Sequence, residues 1–368
     1  MTWRKACIVT GIIKNATNTS NKYQCALYSS KQLDSVGDIY VDDVSVRRLN
    51  FRIGISNDRD EVFDYVNVVY EINGYKDNYN LKDFELTTKI KDNNTNVYYN
   101  KKTDISSLFF TKKISVKNLK VDNFYYVESI FKNNKDNITD ISSYSFKKIN
   151  KIKRNVTIDQ YGRMFVNEEL FFPFGISLSV RESDLMLINK THLNFITPSS
   201  LLNKKTMDMI YTTQQGKIKV LYHINKLYNL DHNTCTNLND EENYKQLVDK
   251  INEIKDHPNL LAWYISDTMH CCFNQFLRNR TLTIHQLDPN HPTFLALNAP
   301  GEINQLMNTT DIMPFYCYPI GREPIRRVNK NNDEANREIL EAKLLILIIQ
   351  IFDWGVIFRI TENDLIFH

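Results

Sequence analysis

Between residues 51 and 149, apolar side chains alternate with polar ones in repeated short segments. One segment alternates through Val66, Val68, Tyr70 and Ile72, and clusters rich in Asn and Asp separate it from its neighbours. Successive side chains of a strand point to opposite faces of a sheet, so this pattern predicts strands with one buried face. About a hundred residues of such strands predict a β-sandwich.

The first fifty residues carry the same kind of pattern over a shorter length. The clearest piece is "GDIYVDDVSVRRL", in which side chains alternate from Ile39 to Val46. About fifty residues bury too little surface for an independent sandwich. We therefore predict that residues 1–50 form the closing part of a module whose beginning is absent.

After residue 155 the pattern changes from alternating strands to short apolar runs separated by helical stretches. A hairpin, "VTIDQYGRMFVNEELF", comes first, with turns at Gly162 and at Asn167-Glu168. The clearest helix precedes the fourth run and has an apolar stripe, made of Tyr244, Leu247, Val248, Ile251 and Ile254. Seven continuously apolar runs follow the hairpin: "FFPFGIS", "LNFITP", "KVLYHI", "LLAWYISD", "PTFLALN", "DIMPFYCYP" and "LLILIIQIF".

Such runs are typical of parallel strands that are covered on both faces. Seven β/α units in about 190 residues predict a (β/α)8 TIM barrel that is incomplete at its C-terminal end, with the eighth strand missing or unclear. A doubly wound sheet is the alternative, but it needs a Gly-rich first βα turn, and "FGISLSVRES" is not one. The fold class is therefore multi-domain: β-sandwich modules followed by an α/β barrel.

Composition narrows the classes of partner. The 46 basic and 43 acidic residues are interspersed and give a formal charge of +3, which argues against nucleic acid as a partner found by bulk charge. The longest apolar run, from Leu344 to Phe358, is interrupted by Gln350 and Asp353, so no membrane span is expected. Cys7 and Cys25 are compatible with a disulfide, which spacing alone leaves open.

The compartment is predicted from weaker signals. The N-terminus lacks the pattern of a signal peptide. Asn-x-Ser/Thr sequons nevertheless occur at Asn15, Asn18, Asn93, Asn137, Asn155, Asn189, Asn279 and Asn308, although an Asn-rich chain produces many by chance. An extracellular or secretory location is the expectation.

Candidate chemistry lies where the barrel strands end, because active groups of this fold lie at the C-terminal strand ends. This rule selects polar and aromatic side chains that resemble the lining of a sugar site: His223, Asn225, Asp267, Thr268, Asn298, Tyr316, Tyr318, Gln350 and Trp354. Asp267 is the leading candidate for function. Simpler interpretations remain open for His223, a satisfied core histidine, and for Tyr316 and Tyr318, which would plug the barrel top. Trp263 is expected to pack inside the barrel.

The same segments resemble clan A glycoside hydrolases. "VTIDQYGRMFVNEELFFPFGIS" resembles the entry segment of their barrels, and "HPNLLAWYISDTM" resembles their fourth-strand motif. "LDPNHPTFLALN", "DIMPFYCYPI" and "IIQIFDWG" are similar to later strands. The resemblance implies a partial jelly-roll carbohydrate-binding module in residues 1–50, an immunoglobulin-like sandwich in 51–150 and a glycosidase-like barrel in 155–368.

The resemblance also implies roles for individual residues. Thr268 occupies the position of the family's acid/base glutamate, and a threonine hydroxyl does not titrate near neutral pH. Asp267 matches the preceding residue, which positions substrate in the family. Asp353 and Glu362 do not match the nucleophile motif, so a second carboxylate is unidentified.

Three functions follow as hypotheses. The chain is a glycoside hydrolase-like protein that acts on or binds an oligo- or polysaccharide, with catalysis in question because of Thr268. Alternatively, it is a non-catalytic carbohydrate-binding relative, or a truncated product without independent function. Neither a metal nor an organic cofactor is implied.

Overall fold

The computed structural model describes residues 51–73, 79–135, 137–228, 230–231, 236–237, 240–267, 269, 271–298 and 300–350. Several predictions lie outside these residues: the module at 1–50 with Cys7 and Cys25, the proposed acid/base position Thr268, and Trp354. The structure describes the side chain of Cys272, which is disulfide-bonded, and that of Cys317, which carries a free thiol.

The first part of the described chain forms two β-sheets. One sheet has the strand order β1-β3-β6 and the other β2-β8-β7-β4-β5. Their bounds are β1 Phe51–Ile55, β2 Glu61–Val62, β3 Tyr65–Ile72, β4 Phe84–Asp92, β5 Val97–Lys102, β6 Phe109–Ser115, β7 Asn123–Asn133 and β8 Ile138–Lys148.

The two sheets bury a shared aromatic core between them. Phe51 of β1 stacks on Phe131 of β7 with ring centroids 5.5 Å apart. The Tyr70 hydroxyl of β3 lies 2.9 Å from Thr88 Oγ1 of β4, so a buried polar group also finds its partner across the gap. The alternation read from the sequence at Val66, Val68 and Tyr70 places these side chains inside.

A three-stranded hairpin unit follows, with the antiparallel order β11-β10-β9. Its strands are β9 Val156–Ile158, β10 Met164–Val166 and β11 Glu169–Phe171. Gly162 takes a φ of 70° in the first turn, and Asn167 and Glu168 take φ of 50° and 72° in the second. Two residues with positive φ are what a tight hairpin turn requires, so both predicted turns are present.

The remaining strands form one parallel sheet of seven strands in chain order. They are β12 Gly175–Leu178, β13 Phe195–Pro198, β14 Lys219–His223, β17 Leu260–Asp267, β18 Thr293–Ala296, β19 Ile312–Cys317 and β20 Leu344–Ile349; a short ribbon of β15 Leu230–Asp231 and β16 Thr236–Asn237 follows β14. All seven apolar runs predicted as strands are confirmed. The sheet is a curled half-barrel. Among the described residues no pairing joins β12 to β20, so a closed TIM barrel is not shown.

Helices connect these strands and cover one face of the sheet. They are α1 Glu182–Ile188, α2 Lys204–Thr213, α3 Asp240–Ile254, α4 Asn274–Leu287, α5 Pro300–Leu306 and α6 Arg327–Glu338. In α3, Leu247, Ile251 and Ile254 are fully buried, whereas Tyr244 of the predicted stripe is exposed and contacts the Arg280 guanidinium. No helix in the described part of the chain is long and apolar enough to cross a membrane.

The parallel sheet therefore has two different faces. On the helix-side face, Val220, Leu295 and Met313 pack into the same core as α3 and α4. On the hairpin-side face, Leu221 and Phe294 pack with Met164 and other residues of β9 and β10.

Trp263 lies on the helix-side face, where its Nε1 donates a hydrogen bond of 2.8 Å to Asp288 Oδ2. The expectation that it packs inside the barrel was wrong. A bulge in β17, described below, changes the alternation between Trp263 and Asp267, and the indole N–H finds its buried acceptor behind the sheet.

Candidate functional site

The candidate site lies at the C-terminal ends of β14, β17 and β19, where the sequence analysis placed it. These ends carry His223, Asp267 and Tyr316. Parallel strands in one sheet bring their C-terminal ends to the same edge, which is why residues far apart in the chain meet there.

A β-bulge in β17 directs Asp267 to the hairpin-side face. Tyr264 pairs with Phe294 of β18, the register shifts between Tyr264 and Ser266, and Asp267 then pairs with Ala296. Phe294 and Ala296 both belong to the hairpin-side core, and paired residues of neighbouring strands point to the same face. The extra residue thus puts Tyr264 and Asp267 on one face, although they are three positions apart. Bulges that re-aim a side chain are frequent next to active sites.

Tyr264 is a residue of the candidate site that sequence reasoning missed. Its hydroxyl is hydrogen-bonded to Asp267, and its pKa is raised well above the ordinary value, first by burial and then by the Asp267 charge. Its ring contacts His223 at 4.0 Å and Phe294 at 4.9 Å between centroids, edge to face in both cases. Tyr264 is buried, whereas Asp267 is exposed. The tyrosine therefore holds one side of a carboxylate whose other side faces solvent.

His223 is neutral near pH 7 in this setting. Burial lowers its pKa to about 4, although the hydrogen bond with Asn225 and the Asp267 charge act in the opposite direction. Nδ1 lies 3.3 Å from Asn225 Oδ1. Nε2 is buried and has no hydrogen-bond partner among the described residues. A neutral imidazole thus lies beside Asp267 with its Nε2 enclosed by protein.

Two tyrosines complete the aromatic part of the site. Tyr316 and Tyr318 stack with ring centroids 4.9 Å apart and an interplanar angle of 23°. Burial raises the pKa of Tyr318, and the Asp267 charge raises it further, which places Tyr318 near the carboxylate. Both rings are half-buried, so they combine an apolar face with access to solvent.

The other predicted residues lie at the same edge with different surroundings. Gln350 is buried; its Oε1 accepts a hydrogen bond of 2.9 Å from Ile320 N, and its Nε2 donates one of 3.4 Å to Ile320 O. This amide therefore fixes the loop after β19. Asn298 is exposed just after β18. Across the described ranges, no group of three or more His, Cys, Asp or Glu side chains is arranged to hold a metal ion.

Among the described residues, the site combines the exposed carboxylate of Asp267 with the neutral imidazole of His223, three tyrosines and the amides at the same edge. Carboxylates accept hydrogen bonds from hydroxyl groups, and exposed aromatic faces pack on apolar C–H surfaces.

Comparisons with known proteins give distant structural similarity. The chain is similar to the β-glucuronidase of Parabacteroides merdae at 12% identity with a TM-score of 0.41, over 81% of this chain and 40% of that one. It is similar to β-D-glucuronidase of Dictyoglomus thermophilum at 14% identity and a TM-score of 0.40, over 81% and 53% respectively. It is also similar to Bacteroides uniformis β-glucuronidase at 14% identity with a TM-score of 0.39, over 79% of this chain and 38% of that one.

The chain thus spans between 38% and 53% of the length of these three proteins. No protein-family model matches the sequence, and no curated protein matches it.

Proposed function

We propose that the site at the C-terminal strand ends binds an oligo- or polysaccharide, as part of a glycoside hydrolase-like protein. The observation that carries the proposal is the bulge in β17, which gathers Asp267 and Tyr264 on one face beside His223. Sugars present hydroxyl groups and C–H faces together, and this set offers acceptors for the first and tyrosine rings for the second.

A direct titration tests binding. A panel of plant and microbial oligosaccharides is followed by NMR or calorimetry on the full chain. We expect binding in roughly the millimolar range or tighter. Asp267→Asn removes a charge-assisted hydrogen bond of about 1.5–3 kcal/mol, so it should weaken binding by about tenfold or more.

Asp256→Asn is the matched control, because Asp256 is exposed and precedes β17, at the opposite end of the strand. It makes the same charge change away from the site and should leave binding unaltered. If no member of the panel binds at millimolar concentration, or if both variants bind like the parent, the proposal is wrong.

Hydrolysis is the second candidate function, and the exposed carboxylate of Asp267 favours it. A glycosidase needs a second carboxyl group, about 5–5.5 Å away in retaining enzymes and about 6.5–9.5 Å away in inverting ones. Release of product from aryl glycosides and polysaccharides, compared with Asp267→Ala, tests it directly. Thr268→Glu adds a titratable acid at the position that the family resemblance indicates, and a gain of hydrolysis in this variant alone would identify the parent as a binding protein.

The domain boundaries and the compartment of the protein are also proposals. We propose three domains at residues 1–50, 51–150 and 155–368, and an extracellular or secretory location. The alternating segments support the first proposal, and the sequons support the second.

A further inference from the structure

A layer of charged side chains lies at the N-terminal ends of the parallel strands, at the opposite edge from the candidate site. It joins the two-sheet unit to the parallel sheet. Lys343, just before β20, places Nζ 2.9 Å from Asp60 Oδ1. Arg59 donates hydrogen bonds to the carbonyl oxygens of Val156 at 2.8 Å and Asn290 at 3.3 Å. The layer is therefore made of residues from both units.

The carboxylates of this layer already have hydrogen-bond or ion-pair partners. Asp60 also accepts a hydrogen bond of 3.2 Å from the Tyr144 hydroxyl. Asp311 Oδ2 lies 2.8 Å from His285 Nε2 and accepts a 2.7 Å hydrogen bond from Thr293 N. His285 holds the pKa of Asp311 well below its ordinary value, despite burial. Both acids are therefore already engaged in ion pairs and hydrogen bonds within the layer.

The cations of the layer are not all matched. Arg278 of α4 donates to Asn308 O at 2.8 Å and to Ser145 Oγ at 2.7 Å, both neutral acceptors. Within the described ranges, no carboxylate lies within ion-pair distance of Arg278. Arg59 is paired with Asp58 through Nη1 at 3.0 Å, and only its buried Nε has no hydrogen-bond partner among the same residues. A partly buried guanidinium bonded only to neutral groups favours an anion beside it, because burial of an unpaired charge is costly.

A cavity of about 110 Å³ opens between the units at this point, and Arg59, Lys147, Arg278 and His285 line it. A single water needs only about 10–15 Å³, so the cavity has room for a small polyatomic ion. Thr281, Gln286 and Thr310 add further polar groups to the wall. Three acids also line the cavity, and each already has a cationic or imidazole partner: Asp60 with Lys343, Glu61 with Arg154 and Asp311 with His285. Arg59 pairs with Asp58, and Lys147 lies 3.8 Å from Asp122. Arg278 is therefore the lining cation that has no ion-pair partner among the described residues.

We infer that this cavity binds a small oxyanion, of the size of phosphate or sulfate, with Arg278 as its principal ligand and Lys147 and His285 beside it. The site is separate from the carbohydrate site and does not depend on that proposal. Because the ion touches residues of both units, its binding stabilises their association, by an amount that rises with its concentration.

Thermal unfolding of the full chain tests the inference, with phosphate or sulfate as the probe and sodium chloride at equal ionic strength as the reference. We expect a saturable increase in Tm with the oxyanions beyond that in chloride. Arg278→Gln removes charge-assisted hydrogen bonds of about 1.5–3 kcal/mol, so the apparent Kd should rise about tenfold or more.

Arg326→Gln is the matched control, since Arg326 is an exposed arginine outside the layer; it should respond to phosphate like the parent. If Arg278→Gln fails to fold, Lys147→Gln provides the second variant, with a smaller rise in Kd. Equal Tm increases in chloride and phosphate, or the same phosphate response in the parent and the variant at the cavity, would overturn the inference.

Discussion

The buried ion pair between Lys343 and Asp60 should be one of the costliest single contacts to break in this protein. The Lys343 side chain is 3% exposed and that of Asp60 is 15% exposed. Lys343→Met leaves the carboxylate buried, with the Tyr144 hydroxyl as its remaining hydrogen-bond partner among the described residues, in a position where burial already raises the pKa of Asp60. Removing one partner of a buried pair costs about 3–5 kcal/mol, so we expect a loss of this size.

Urea denaturation followed by circular dichroism measures the free energy of unfolding of parent and variants at pH 7. Lys250→Met is the matched control, because Lys250 makes a 2.6 Å ion pair with Glu253 on the surface of α3; exposed pairs contribute at most about 1 kcal/mol. The double variant Asp60→Leu with Lys343→Met should recover most of the loss, since apolar replacements of buried pairs are often neutral.

The pH dependence gives a second check on the same reasoning. Without Lys343 the pKa of Asp60 rises further, because the nearby cation that lowers it is gone. A protonated Asp60 needs no cation, so the penalty of Lys343→Met should be smaller at pH 4 than at pH 7. A loss at pH 7 no larger than that of Lys250→Met, or a penalty that grows on acidification, would refute this account of the layer.

Three further predictions concern the parallel sheet. His223 has a pKa of about 4 in the folded chain against 6.5 ordinarily, so its contribution to stability is present above pH 6.5 and is lost as pH falls toward 4. The free energy of unfolding should fall by about 3 kcal/mol over this range. In His223→Asn, urea denaturation at a series of pH values should show no such fall. Tyr264→Phe should weaken saccharide binding about tenfold at a stability cost of about 1 kcal/mol, measured against Tyr211→Phe on the surface; unchanged binding would contradict the role of the hydroxyl. Trp263→Phe should lower the free energy of unfolding by about 2–4 kcal/mol in urea denaturation, because it loses the hydrogen bond to Asp288 and leaves a cavity. Its saccharide affinity should match that of the parent, and a changed affinity would contradict the placement of Trp263 on the helix-side face.

The parallel sheet was predictable because its strands are apolar along their whole length. The continuously apolar runs "LLAWYISD" and "LLILIIQIF" predict strands that are covered on both faces, and the helical stretches between such runs predict parallel pairing. The edge that carries the candidate site followed from the same rule. Asp267, His223 and the two stacked tyrosines could therefore be selected before their contacts were known.

The direction of side chains within β17 could not be predicted in the same way. Strict alternation puts Trp263 and Asp267 on one face, and a bulge at Ile265 moves them to different faces. A bulge depends on hydrogen bonds to neighbouring strands and leaves no mark in a pattern of apolar and polar positions. Tyr264 was missed for this reason, since it was treated as part of a buried run. The charged layer was equally hidden, because Lys343 reaches Asp60, and Arg59 reaches Val156 and Asn290, only after both units have folded.

During synthesis of this chain, the contacts of the charged layer form late, because their partners are far apart in the sequence. Asp60 and Lys343 are 283 positions apart, and Arg52 pairs with Glu338 at a separation of 286. At about 5–20 residues per second, a ribosome needs roughly a quarter of a minute to a minute to produce the distal partners. During that time the two-sheet unit has left the ribosome, and its arginine and aspartate side chains still lack their partners from the parallel-sheet unit. The nascent chain is thus exposed to misassembly until its last described strand arrives.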